Sequence, residues 1–149
     1  MRTLHAADEV RYTWATAEPI KGGAVLVEQN RIAAVGTLAE LRERFPDVRV
    51  RTWPGVLGPA RIHEGPLPDA PSPRERIHAV LRSGAVAILE EYADTPELRA
   101  AAERNDVVVL PRAQWTLLRQ TGRADLAVFA ETGECIATVC AGRLVHRRR

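Results

Sequence analysis

The sequence predicts an α+β fold, with two β-rich ends flanking a central α/β segment. Three observations carry this. Both ends hold short apolar runs separated by tight polar turns. The middle holds two helix starts, Ser72-Pro73-Arg74-Glu75 and Thr95-Pro96-Glu97. Beside them runs Ala85-Val86-Ala87-Ile88-Leu89, apolar without alternation. A length of 149 residues suits one compact domain or two small lobes sharing a core. With 46% hydrophobic and 27% charged residues, extended disorder and coiled-coil classes are excluded.

In order along the chain, Ala24–Glu28, preceded by Gly22-Gly23, and Arg31–Gly36 read as a hairpin around Gln29-Asn30, with Asn30 supplying the positive φ of the turn. Thr37-x-x-Glu40 is a capping box that opens a short helix with Leu38 and Leu41 on one face, ended by Pro46-Asp47. Residues 48–53 alternate as a strand, with Val48, Val50 and Thr52 facing opposite to Arg49, Arg51 and Trp53. The six prolines of 54–73 exclude a long helix or a central strand there. Ser72 then caps a helix with the stripe Ile77, Val80 and Leu81, and Gly84 suits its C-terminus. Ala85–Leu89, the Thr95-started helix and Val107–Leu110 form a βαβ unit with two buried strands. A helical turn is expected around Trp115, Leu117 and Leu118. Strands follow at 124–129 and 135–140, with a last turn at Ala141-Gly142.

The net charge of +2 owes more than its whole to Arg147, Arg148 and Arg149, so the basic balance belongs to the tail. That tail, with Arg143 and His146, supports at most salt-sensitive attraction to anions. No aromatic residues interleave it for base stacking, so no specific nucleic-acid partner is expected. One lysine against twenty arginines points to a GC-rich genome, such as an actinobacterial one. Met1–Tyr12 has no continuous apolar run and no segment is long enough to span a membrane, so the expected location is cytoplasmic. Cys135 and Cys140, five apart on one strand, should point to opposite faces and serve as small buried hydrophobes.

Gly23-Ala-Val-Leu-Val-Glu-Gln-Asn-Arg-Ile-Ala-Ala-Val-Gly36 resembles the opening hairpin of the amidohydrolase superfamily. Trp53–Pro59 is similar to the approach to its first barrel strand. Arg123–Phe129 with Val139–Val145 resembles its closing strands. The imidazolonepropionase and aminodeoxyfutalosine deaminase group is the most similar part of that superfamily. The resemblance implies a small β-sandwich-like composite domain from residues 1–53 plus 121–149, and an inserted βαβ-type remnant of a truncated TIM barrel at 54–120. A full barrel needs ~200 residues or more, so two or three β/α units fit.

The same resemblance implies a His-x-His pair ending the first barrel strand, which holds a divalent metal. Here Gly65 and Leu67 stand at those positions, and a shifted register recovers only His63. The expectation is therefore no catalytic residue and no cofactor. The chain reads as a non-catalytic interaction or small-ligand-binding subunit, a homodimer or part of a partner enzyme. Its ligand would be contacted by His63, Glu64, Glu91 and Arg112 at the strand ends, where α/β sites gather. The alternative is a minimal carbon–nitrogen hydrolase or deaminase using one metal ion, with His63 as ligand or base and Glu64 or Glu90 as proton carrier. The plainest reading of His63-Glu64 is an exposed loop pair, and of Glu90-Glu91 an exposed strand end with the two carboxylates on opposite sides.

Overall fold

A computed structural model describes residues 1–15 and 18–148. Arg149, the last residue of the arginine tail, lies outside the described residues. The strands are β1 (Arg2–Val10), β2 (Ile20–Lys21), β3 (Gly23–Glu28), β4 (Arg31–Thr37), β5 (Arg49–Pro59), β6 (Arg61–His63), β7 (Ala85–Leu89), β8 (Val108–Leu110), β9 (Leu126–Phe129), β10 (Cys135–Cys140) and β11 (Arg143–Arg147). The helices are α1 (Leu38–Arg44), α2 (Pro73–Arg82) and α3 (Pro96–Arg104). The fold is α+β, as expected.

One large sheet runs β11-β10-β9-β5-β1-β3-β4, with β2 paired to β1. Beside its middle strand β5 lies β1, which sequence reasoning did not recognise as a strand. β1 runs antiparallel to β3 and parallel to β5. Its even residues Leu4 and Ala6 pack toward α1 with Ala24, Leu26 and Leu41. Ala7 packs on the other side, in a core shared by Val25, Val27, Trp53, Leu57, Val128 and Ile136. That core joins β3 to β9 and β10 because the sheet curls until its arms meet. Ile32 N donates to Gly122 O at 2.9 Å and Ala124 N to Asn30 O at 2.8 Å, closing the seam between the two ends of the chain.

Two expectations about backbone are corrected here. Pro54 and Pro59 lie inside β5, a central strand flanked by β1 and β9. The register jumps between Ala7 and Glu9, leaving Pro54 and Gly55 as a bulge, so the missing proline N–H interrupts no ladder. Asp8 Oδ2 accepts the Gly55 N–H at 2.9 Å instead. In the β3–β4 turn the positive φ falls on Gln29, at 55°, rather than on Asn30. Asn30 O is committed to the seam with Ala124.

A third correction concerns the cysteines. Cys135 and Cys140 join the same core cluster, against α2 and α3, because a bulge at Ile136 of β10 breaks strict alternation. Both thiols are free and buried.

The small sheet is β6-β7-β8, all parallel, and α2 and α3 cover one face through Ile77, Val80, Leu98, Val86 and Ile88. β7 is buried throughout, but β8 is an edge strand whose Val108 is 37% exposed, so the expected second buried strand is not one. The helix starts form at Ser72 and Thr95, whose hydroxyls accept from Glu75 N at 3.2 Å and Leu98 N at 3.1 Å. At Ser72 and Thr37 the carboxylate partner accepts from the capping hydroxyl, at 3.1 and 2.8 Å, rather than from a backbone N–H. Ser72→Ala should therefore lower stability by about 1 kcal/mol in urea denaturation. No loss at all would mean that α2 is held entirely by its packing.

Candidate functional site

The parallel strands of the small sheet end together. β6 stops at His63, β7 at Leu89 and β8 at Leu110, with His63 opposite Ile88 and Leu89 opposite Leu110. The residues singled out from sequence therefore stand along one rim: His63 and Glu64, then Glu90 and Glu91, then Arg112 two residues past β8. No hydrogen bond or ion pair joins any two of them. His63 Nε2 lies 2.9 Å from Pro66 O, a carbonyl that only accepts, so this nitrogen carries the proton. Glu90 and Glu91 lie in a 3₁₀ turn, Glu90–Tyr92, so the expectation of carboxylates splayed on an extended strand does not apply.

A divalent metal does not fit these residues. Among the described residues no group of three or more His, Cys, Asp or Glu side chains is placed to hold an ion. Water activation by zinc normally takes about three protein ligands and an open position. Cys140 is no better placed as a nucleophile. Burial pushes its thiol up to about 11, against the pull of Arg123.

A cleft of about 450 Å³ lies against the small sheet, and none of the five rim residues lines it. Ile62, Ala87, Val108 and Leu110 form its apolar floor, on the sheet face turned away from α2 and α3. In a closed barrel that face would look inward. Here residues 111–121 pass over it. This stretch is not the expected helical turn, because Leu118 N donates to Tyr12 O at 2.8 Å instead of back along its own chain. Leu118 is buried as the anchor, while Trp115 is 82% and Leu117 51% exposed beside the cleft.

Arg119, Gln114 and Thr116 add polar groups to the wall. The Arg119 guanidinium has no partner among the described residues. Arg123 is committed, gripping both Asp125 oxygens at 2.8 and 2.9 Å through Nε. Sequence reasoning missed Trp115 and Arg119 because this stretch has no periodicity. An aromatic residue lying outside any apolar stripe was the one available signal.

This architecture defines a class: one curled mixed sheet, built from both ends of the chain, carrying a three-stranded parallel α/β unit. Residues 23–47 match the family model described as imidazolonepropionase-like composite domain, bacteria. A search of curated proteins finds no match. Among solved structures, Helicobacter pylori aminofutalosine deaminase is similar, with a TM-score of 0.56 at 16% identity over 73% of this chain and 32% of that one. Guanine deaminase from Bradyrhizobium japonicum gives 0.57 at 15% identity over 73% and 34%. E. coli guanine deaminase gives 0.54 at 15% identity over 73% and 35%. The chain thus shares its fold with part of these deaminase structures and spans about a third of their length.

Proposed function

We propose that this chain is a non-catalytic, amidohydrolase-like subunit that binds a small planar ligand in the cleft beneath residues 111–121. It would act as a homodimer or beside a partner enzyme. The observation that supports this most is the cleft itself. An apolar floor, an exposed indole and an unpartnered guanidinium converge there, as ligand sites require. The rim offers no metal-ligand group beside it. The similar structures are named as deaminases of guanine and aminofutalosine, so a purine-type heterocycle is the ligand class to try first. A link to futalosine-route menaquinone synthesis or to histidine breakdown accompanies that choice. No helix among the described residues is long and apolar enough to cross a membrane.

Calorimetric titration with guanine, aminofutalosine and imidazolonepropionate tests the proposal. One of them should bind saturably without turnover, and Trp115→Ala should weaken it about tenfold or more by removing the stacking surface. Binding by none of them would overturn this reading. So would product formation that His63→Ala abolishes, which favours the minimal hydrolase.

A further inference from the structure

On the opposite side of α2 from the small sheet's open face, a second concavity of about 400 Å³ gathers basic side chains from two elements and an amide from a third. The last turn and a half of α2 contributes His78 and Arg82. The end of α3 contributes Asn105. β11 contributes Arg143, His146 and Arg147, with Leu81 and Val145 as the apolar base. No carboxylate lines this groove.

Its side chains are held in place by neutral groups, except for one carboxylate, Asp106, beside Arg143. Asn105 Nδ2 donates to Ala101 O at 2.7 Å, which turns Oδ1 toward His78 Nε2 at 3.3 Å. His146 Nε2 donates to Cys135 O at 3.2 Å. Arg143 Nη2 meets Asp106 Oδ2 at 2.7 Å, but both side chains are largely exposed, so the pair leaves other guanidinium N–H groups free. Arg82 has no hydrogen-bonded or ionic partner among the described residues. Arg147 is the weaker contributor, since its guanidinium lies over the Trp53 ring at 5.8 Å.

The helix macrodipole accounts for a cation at Arg82, in the last turn of α2. It does not account for Arg143 of β11 bordering the same hollow, where Asp106 offsets only part of the charge the two guanidiniums bring together. An anion in the groove removes that repulsion and supplies acceptors for the planar forks.

We infer that the groove between α2 and β11 binds a small phosphate-bearing anion through Arg82 and Arg143. The hollow is compact, and its only rings are the two imidazoles. That favours a phosphate group over a polynucleotide, which would call for stacking surfaces. The inference stands apart from the cleft beneath residues 111–121, with which the groove shares no lining residue.

Calorimetry on the full chain at low salt, with inorganic phosphate, pyrophosphate and ribose 5-phosphate in separate arms, reads the site. Saturable binding of one ion per chain is expected. The ratio between arms separates free phosphate from a phosphomonoester. Arg82→Gln together with Arg143→Gln should weaken binding at least about tenfold, since each removes charge-assisted donors. Arg42→Gln, an exposed arginine on α1, should change nothing. Equal binding by the double variant, or no binding in any arm, would overturn the assignment. An unfolded double variant is met by Arg82→Gln alone, whose side chain holds no other element and which should still weaken binding.

Discussion

Gly142→Ala should destabilise the protein by about 3 kcal/mol or more, through strain plus overpacking. Gly142 has φ +82° and ends the Ala141-Gly142 turn between β10 and β11. An added Cβ would meet Gln29 O and the Cα of Asn30, both backbone atoms of the β3–β4 turn. Nothing flexible is available to yield. This is where the two ends of the chain lie together, beside the bond from Gly142 N to Ala124 O at 2.9 Å. Gly133→Ala is the matched comparison, with φ +91° and open space around the missing Cβ. It should cost only the left-handed strain, about 1–2 kcal/mol. Urea denaturation of both variants reads the difference. Equal losses would show that the turns of the two ends are not in contact.

The stability of the protein should also fall between pH 6.5 and about 4 because of one buried imidazole. His5 is 4% exposed on β1, stacked near Trp53, with the indole Nε1–H donating to His5 Nδ1 at 3.2 Å. Burial lowers its pKa from 6.5 to about 4, and Arg51 and Arg49 push the same way. The unfolded chain takes up a proton near pH 6.5, which the folded chain refuses until about pH 4. The contribution is therefore complete above 6.5, is lost as pH falls through that window, and levels off below it. The plateau difference is about 3 kcal/mol. His5→Asn keeps an oxygen acceptor for the indole but does not titrate. Subtracting its stability profile from that of the parent should isolate this slope. A flat difference curve would mean that His5 is protonated equally in both states. The absolute loss from the smaller side chain does not enter, since only the slope is read.

Local structure was largely legible because its causes are local. The Gln29-Asn30 hairpin, the caps at Thr37, Ser72 and Thr95, and Gly84 at φ +90° after α2 all follow from neighbours within a few residues. The facing of residues 48–53 is legible for the same reason: Val48 and Val50 pack toward α1, and Trp53 toward the opposite core. β1 was not legible. Arg2, Asp8 and Glu9 interrupt its apolar pattern, and its central place depends on β3 and β5, which arrive later in the chain. The rim could be placed from strand order alone, since parallel strands end on one side. The cleft could not, because its wall is a stretch without repeat, held by bonds from Leu118 N to Tyr12 O and from Thr121 N to Ile32 O.

By itself, then, the sequence determined most of the elements, the hairpin that the composite-domain model matches, and the shortness of the α/β segment between the β-rich ends. Each of these is written in adjacent residues or in simple length. Only the tertiary structure decided that Pro54 sits harmlessly in a central strand, that both cysteines share one core, and that Arg82 and Arg143 border one groove. Bulges shift side chains from one face to the other without any mark in composition. Likewise, charges about sixty residues apart meet only once the sheet has curled and α2 has docked against β10 and β11.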